Sequence, residues 1–358
     1  MTSAILGSNY ILSESIRVIV LMVISFGVAL LMTPFWFKLI KQYQLHKQIR
    51  TSKDAPVYNS YHQKKEGTPT AGGIIIWSTV LIVAIFFGFV NLFFDGFWGH
   101  FSFIDRAQTY LPIAALIIAA LLGLFDDWLG VLRIGSNGGG MKIRYKLIFY
   151  TVAAAIGAWW FYFKLDIHTI YVPFWGNFEI GVWYIPIFMF VIIASAFSAN
   201  ETDGLDGLLG GVSLFAFVAL TVVAFVLGRY DLAALGGVVI GSLLAFLWFN
   251  IFPAKFFMGD TGSMSLGITI GVIAMLTNTV LLLPFFAIIL VIESLSVIIQ
   301  MISKKIWKKK IFLSSPIHHH FEALGWPESQ VTMRFWIISA LVSAFGLVIF
   351  FLARFLNG

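Results

Sequence analysis

The sequence predicts an all-α polytopic membrane protein, and three observations lead to this fold class. Of the 358 residues, 59% are hydrophobic and only 11% are charged, whereas soluble domains have about 25% charged residues. Ten apolar runs approach the length of about 20 residues that crosses the bilayer core. Eighteen of the 23 Lys and Arg residues lie on alternate loops between these runs, as the positive-inside rule predicts.

The predicted spans follow in chain order, and two of the connections between them are unusual. The segment 166–182, between the fourth and fifth spans, has the alternation and turn residues of a small external β-hairpin. The turn at 277–279, between the eighth and ninth spans, is very short. The ten spans are 16–37, 71–93, 109–125, 147–163, 183–199, 208–227, 232–252, 263–276, 280–302 and 335–355.

The basic loops orient the chain in the membrane. They follow the odd-numbered spans, so these loops are expected in the cytoplasm and both termini outside. No basic segment precedes the first apolar run, and we expect that span to be retained. The sequence contains no cysteine, which excludes disulfides and thiolate metal sites. We expect one integral-membrane domain over residues 1–358 and no nucleic-acid partner.

Four polar motifs end or begin apolar runs on the cytoplasmic side. A charge beside a hydrophobic span is costly to desolvate and often marks a functional site. The pair Asp126 and Asp127 opens the third loop in this prediction. The motifs are the Asp pair, Asn-Glu-Thr-Asp-Gly-Leu-Asp-Gly at 200–207, Gly-Asp-Thr-Gly-Ser at 259–263 and the three histidines at 318–320.

Carboxylates gathered with histidine and glycine suggest a hard cation and a phosphate. Mg²⁺ prefers one or two carboxylates together with substrate phosphate oxygens. The helix that begins near Asp260 is expected to offer free N–H groups to an anion. Asp203 and Asp206 would share one face if their segment is helical. Arg144 and Lys146 are expected to neutralise a diphosphate or to attract an anionic lipid.

Each motif also has a purely structural interpretation. The Asp pair alone is more often a solvated helix cap, and the segment 200–207 can be a polar turn between spans. The three histidines can form a solvated loop, and the lysines of 304–310 fit topology and lipid head-group contact. Glu293 and Gln300 share a face of the ninth span, where Glu293 is expected to face protein or a wet cavity.

Six motifs in register resemble the phospho-N-acetylmuramoyl-pentapeptide transferase family. The resemblance covers nearly the whole chain, and the Pro-Ile-His-His-His motif favours this family over others in the polyprenyl-phosphate hexose-1-phosphate transferase superfamily. The motifs are Lys-Glu-Gly-Thr-Pro-Thr-Ala-Gly-Gly at 65–73, Phe-Asp-Asp at 125–127, the segment 200–207, Trp-Phe-Asn-Ile-Phe-Pro at 248–253, Phe-Met-Gly-Asp-Thr-Gly-Ser at 257–263 and Pro-Ile-His-His-His-Phe-Glu at 316–322.

The resemblance implies a reaction, a cofactor and a location. Undecaprenyl phosphate would attack the β-phosphate of UDP-N-acetylmuramoyl-pentapeptide, UMP would leave, and lipid I, the first lipid intermediate of peptidoglycan, would form. Mg²⁺ would be required. The protein would lie among lipids of the bacterial cytoplasmic (inner) membrane, with its cleft facing the cytoplasm, as a homodimer.

The resemblance also implies residue roles. Asp260 would be the metal ligand, Asp126 a base for the lipid phosphate, and Asp127 a support for the metal or phosphate. A role for Asp126 as an orienting group or metal partner stays open, because a phosphate monoester with a second pKa of about 6 is already mostly dianionic. The other implied roles are nucleotide or diphosphate contact for Lys65, Asn200, Asp203 and Asp206, uracil stacking for Phe257, a place near the metal for Asn250, and lining of the site for His318, His319 and His320.

Four residues depart from the family pattern, and two other functions are open beside the implied one. Phe197, Glu201, Ala71 and Gly130 replace residues that are common in the family. A sister enzyme would use a UDP-N-acetylhexosamine with the same acidic motifs. A cation-coupled transporter would need polar groups near mid-membrane and usually internal repeats. Here the polar motifs gather at one face, and Glu293 is the main acid within a span.

Overall fold

The computed structural model describes residues 2–46, 67–94, 96, 98–105, 108–132, 134 and 140–357. It is mostly helical, with one two-stranded sheet. The helices are α1 Thr2–Gln42, α2 Ile74–Phe93, α3 Tyr110–Val131, α4 Ile143–Phe163, α5 Tyr184–Thr202, α6 Leu208–Val226, α7 Tyr230–Asn250, α8 Gly259–Leu276, α9 Leu283–Phe286, α10 Ile288–Ile306, α11 Ile317–Ala323 and α12 Glu328–Asn357.

Nine helices in the described ranges are long and apolar enough to cross a membrane, or ten if one bent pair counts as a span. The all-α polytopic prediction is therefore confirmed. The continuous ninth span is wrong, because Val280–Phe286 and Ile288–Ile306 meet at 89°. Ala287 has non-helical dihedral angles at the break. The Ser343 hydroxyl donates to the Phe286 carbonyl at 3.0 Å, which satisfies a group freed by the bend.

Two helices extend beyond the apolar runs that predicted them. Helix α3 continues to Val131, so Asp126 and Asp127 lie within the helix and do not open a loop. Helix α4 begins at Ile143, which places Lys146 in its first turn. Hydropathy underestimates both helices because it locates only the apolar part of a helix, and a helix can continue past that part.

Helix α8 lies at the centre of the bundle. Seventeen of its 18 residues are buried, all except Asp260, and it packs against α3, α5, α6 and α2. Its glycines allow this close packing. A Cβ on Gly267 would lie 2.8 Å from Ala199 Cβ, and one on Gly73, the residue just before α2, would overlap the backbone of Gly262. Small residues at such positions let membrane helices approach one another.

A buried ion cluster joins α1 to α7 at the end of the bundle away from Asn250. Arg17 of α1 donates to Glu14 at 3.0 Å, to the Ser102 carbonyl at 2.5 Å and to Asp231 of α7 at 2.5 Å. The guanidinium group of Arg17 therefore connects α1, α7 and the segment after α2 by hydrogen bonds. A buried charge needs such partners to offset its desolvation.

Helix α10 has its polar side inward and its apolar side outward. Glu293 and Gln300 are buried, as the sequence analysis expected for Glu293, while Leu295, Ile299 and Ile302 are exposed. This polarity is the reverse of that in a water-soluble amphipathic helix. It indicates that the exposed side of α10 contacts lipid.

The two strands form an antiparallel hairpin between α4 and α5. Strand β1, Thr169–Val172, pairs with β2, Gly176–Glu179, in the register that places Thr169 opposite Glu179. The Tyr171 N–H donates to the side-chain oxygen of Asn278 at 3.0 Å. The hairpin therefore sits at the C-terminal end of α8, away from Asp260.

Candidate active site

Two carboxylates from other elements cap the N terminus of α8. The Gly259 N–H donates to Asp203 Oδ2 at 3.2 Å. The N–H groups of Asp260 and Thr261 donate to Asp127 Oδ1 and Oδ2 at 3.0 and 3.1 Å. The prediction that these N–H groups are free for a substrate anion is therefore wrong. The protein itself supplies the negative charge that a helix N terminus attracts.

The Asp260 side chain is held by a cation and an amide. Its Oδ1 accepts a hydrogen bond from Asn200 Nδ2 at 2.6 Å, and its Oδ2 forms an ion pair with Lys146. Asn200 also donates to Ser263 Oγ at 3.2 Å. Asn200 lies near the end of α5, so this amide ties α5 to α8 and fixes the direction of the Asp260 carboxylate.

Lys146 lies between two acids. Its Nζ is 2.7 Å from Asp126 Oδ2 and also contacts Asp260 Oδ2. The second oxygen of Asp126 accepts the Met141 N–H at 2.5 Å. From the sequence, Lys146 was expected only to neutralise charge and was not among the predicted site residues. Its one sequence signal was its place one turn before Tyr150, a residue that the structure buries.

The carboxylates at this centre fit a metal ion whose remaining coordination positions are filled by substrate and water. Among the residues that the structure describes, no group of three or more His, Cys, Asp or Glu side chains is gathered to hold a metal. However, Asp126 and Asp260 converge on one ammonium group, so a cation already balances this carboxylate pair. Mg²⁺ is commonly bound by one or two carboxylates, with water and phosphate oxygens filling its octahedron.

Residues 203–207 form a turn and not the helix that would give Asp203 and Asp206 a common face. Helix α5 ends at Thr202, and Asp203 has non-helical dihedral angles. Asp203 faces α8, whereas Asp206 Oδ2 accepts the Ala254 N–H at 3.0 Å. The polar-turn interpretation therefore applies to residues 203–207, and the shared face, which required a helix, does not form. Gly207 has φ +74°, which favours glycine.

Asn250 and Phe257 hold the chain around the site. The Asn250 carboxamide accepts the Gly207 N–H at 3.0 Å and donates to the Phe256 carbonyl at 2.8 Å. Both ends of its side chain therefore tie loops together. The Phe257 backbone pairs with Pro69 and Gly72 at 2.8 Å.

The Phe257 ring is partly exposed beside the segment 67–73. That segment leads into α2. Lys65, which precedes it in the same motif, lies outside the described residues.

The three histidines lie on α11, and each ring has a hydrogen bond. His318 Nδ1 is 3.0 Å from Glu293 Oε2, and His319 Nδ1 is 2.6 Å from Glu322 Oε2. His320 Nδ1 accepts the Leu313 N–H at 3.1 Å. Burial alone would lower the pKa of His318, but the Glu293 carboxylate offsets this effect and the pKa is raised above its ordinary value.

The predicted site residues are connected by direct contacts, through the N terminus of α8 and through Gly204. Asn200 and Asp260 are in direct contact, and Lys146 links Asp126 to Asp260. Asp127 and Asp203 reach the site through the N terminus of α8. His318 reaches it through Gly204, because a Cβ on this glycine would overlap the His318 imidazole.

Comparison with known proteins assigns the chain to a family. The family described as Glycosyl transferase family 4 matches residues 109–278, which contain Asp126, Lys146, Asn200 and Asp260. A phospho-N-acetylmuramoyl-pentapeptide-transferase of Chloroflexus aurantiacus is 35% identical over 94% of this chain and 90% of its own length.

Two spirochaete relatives carry the same name. The protein of Borrelia turicatae is 36% identical over 91% of this chain and 92% of its own length. That of Borreliella burgdorferi is 32% identical over 96% of this chain and 97% of its own length. The match therefore spans the membrane helices and all four polar motifs, and the chain belongs to the phospho-N-acetylmuramoyl-pentapeptide-transferase family.

Proposed function

We propose that this protein transfers phospho-N-acetylmuramoyl-pentapeptide from its UDP derivative to undecaprenyl phosphate. The products are UMP and lipid I, the first lipid intermediate of peptidoglycan synthesis. The relatives support the transferase reaction by their name and by their similarity over nearly the whole chain. The structural observation that carries the proposal is the convergence of Asp126 and Asp260 on Lys146, which suits a diphosphate bound with a cation.

Asp260 and Asp126 would hold Mg²⁺, which when bound neutralises charge on the diphosphate. Asn200 keeps the Asp260 carboxylate in place, and Lys146 adds a fixed positive charge beside both acids. Asp127 holds the helix that carries Asp260. Because the lipid phosphate is mostly dianionic at neutral pH, these groups act mainly by positioning and charge neutralisation. A covalent route through Asp126 is an alternative.

The remaining substrate contacts are proposed for the groups around this centre. Asp203, Asp206 and Lys65 would contact nucleotide or diphosphate, and the partly exposed Phe257 ring would stack on uracil. Asn250 would support the site indirectly, because its side chain holds two of the surrounding loops together. His318, His319 and His320 would border the site from α11.

The proposed orientation follows from charge placement. The loops that carry most Lys and Arg residues would face the cytoplasm, which puts the Asp126–Lys146–Asp260 cluster at the cytoplasmic side of the bacterial inner membrane. Both termini and the β-hairpin would lie outside. The chain would act as one integral-membrane domain over 1–358, among membrane lipids and as a homodimer.

Release of UMP by the purified protein tests the proposed function. The assay supplies undecaprenyl phosphate with either UDP-N-acetylmuramoyl-pentapeptide or UDP-N-acetylglucosamine, with and without Mg²⁺. We expect release only with the muramoyl substrate and only with Mg²⁺. Asp260→Ala should abolish it, whereas Asp166→Ala, at a highly exposed position near the hairpin, should not. Release only with the hexosamine substrate would assign the protein to the sister enzymes.

A further inference from the structure

Glu293 and His318 form an ion pair inside the protein. Glu293 Oε2 lies 3.0 Å from His318 Nδ1, and the side chains are 0% and 1% exposed. The residues come from different helices, α10 and α11, which are separated by the basic segment after α10. A buried carboxylate is costly unless it is paired, and within a membrane span it usually has a functional role.

One atom of each partner has no hydrogen bond among the described residues. These atoms are Glu293 Oε1 and His318 Nε2. His318 Nε2 lies against Gly204, since it is the atom that a Cβ on this glycine would overlap most closely. Gly204 follows Asp203, which caps α8. The ring nitrogen opposite the Glu293 contact therefore faces the loop that positions the helix of Asp260.

Several charged groups face the His318 ring. Glu293 comes from α10, Glu322 from α11 and Glu201 from α5, and the His319 ring centre is 4.0 Å away. His319 is itself bonded to Glu322 at 2.6 Å. All three carboxylates favour a positive charge on His318, and Glu293 is the one in hydrogen-bond contact with it. This arrangement favours the protonated imidazole despite its burial.

We propose that Glu293 is a positioning residue for the transfer reaction. Its carboxylate orients His318 through Nδ1 and directs Nε2 toward the loop at Gly204. This contact then holds Asp203 at the N terminus of α8, and through it the Asp260 carboxylate. The inference rests on the proposed function for its effect on turnover, but the ion pair itself does not depend on that function.

Glu293→Gln tests the role of the charge, since it keeps the shape and one acceptor oxygen. We expect kcat to fall about tenfold with a smaller change in the KM for the nucleotide sugar, as for a group that acts in the transition state. The alkaline fall of kcat should also begin at a lower pH, because His318 loses its proton earlier without the carboxylate. Ser294→Ala is the matched control, because Ser294 is the adjacent residue and bonds Ser198 at 2.6 Å. Wild-type kcat and an unchanged pH profile in Glu293→Gln would overturn the proposal.

A double-mutant cycle separates positioning from an independent effect. If Glu293 acts through His318, the double variant Glu293→Gln, His318→Gln should be no less active than His318→Gln alone. Losses that multiply would overturn the proposal. If Glu293→Gln does not fold, Glu293→Asp moves the charge by one methylene, and an unchanged kcat in that variant would be equally decisive.

Thermal stability against pH tests the ion pair without turnover. A raised His318 pKa stabilises the folded state fully below the unfolded value of about 6.5, and this stabilisation is lost as pH rises through the folded pKa. The melting temperature of the wild type should therefore fall more over that pH range than the melting temperature of Glu293→Gln. Parallel curves would overturn the inference. If the wild type releases no UMP, the proposed function fails while this measurement still decides the inference.

Discussion

The Asp127 carboxylate accepts the backbone N–H of Asp260 at 3.0 Å, while the neighbouring Asp126 is turned toward Lys146. The two adjacent acids therefore have different structural environments. Asp127 binds both Asp260 and Thr261 as a helix cap, and Asp126 faces a cation. This distinction leads to different predictions for the two positions.

Replacement of Asp127 by alanine should reduce stability as well as activity. Loss of a side-chain helix cap costs about 1 kcal/mol, and here two N–H groups lose their acceptor. The melting temperature should fall, and activity should fall because the first turn of α8 carries Asp260. Asp166→Ala is the control for an acid with no such contact. A fully stable but inactive Asp127→Ala would instead indicate direct contact with substrate or metal.

Asp126→Asn should lose activity on the order of 100-fold at every pH, the size expected when one preorganised electrostatic group is removed. The reason is that the charge beside Lys146 is lost, and a change of pH cannot restore it. A pH–rate profile from about pH 6 to pH 9 measures this effect. Recovery of activity at high pH would contradict the positioning role and indicate that Asp126 acts only as a base.

Lys146→Met should make the protein more dependent on Mg²⁺. Without the ammonium group, the Asp126 and Asp260 carboxylates face each other without a shared cation, and like charges at this distance repel. The variant should have a lower melting temperature than the wild type without metal, and Mg²⁺ should raise it more. Lys142→Met, at an exposed position just before α4, is the matched control. An equal effect of Mg²⁺ on variant and wild type would exclude the carboxylate pair as its site.

Gly123→Ala should displace the helix that carries Asp260. A Cβ at this position of α3 would lie 2.6 Å from Thr261 Cα and would overlap the Asp260 carbonyl. Overpacking of this kind costs typically about 1–3 kcal/mol, and the shift falls on the catalytic centre. Gly27→Ala, where nothing lies within 4 Å, controls for a change of helix propensity. Full activity of Gly123→Ala would show that Asp260 tolerates movement of α8.

The sequence alone predicted the membrane helices well because a span needs a long apolar run whatever its neighbours are. It could not predict the break at Ala287, since that bend depends on packing and on the Ser343 hydroxyl from a distant helix. It also predicted the burial of Glu293 correctly. Its partner His318 lies 25 residues away on a separate helix, so the pairing itself had no local signal.

The candidate site was only partly predictable for the same reason. Carboxylates at the ends of apolar runs stand out in composition, so Asp126 and Asp260 were found. Their common partner Lys146 was one of several basic residues near the membrane surface, and charge placement gives all of them the same topological explanation. The free α8 N terminus was predicted wrongly because the capping acids, Asp127 and Asp203, come from elsewhere in the chain.

The inverted polarity of α10 sets an order for biogenesis. Gln300 of this helix bonds the backbone of Ile311 and Phe312, and Glu293 pairs with His318. These partners follow α10 in the chain and are therefore synthesised after it. Until they are in place, Glu293 and Gln300 lack these partners in hydrocarbon, which is unfavourable. We therefore expect a nascent chain that ends before residue 318 to hold α10 less firmly than the full chain does.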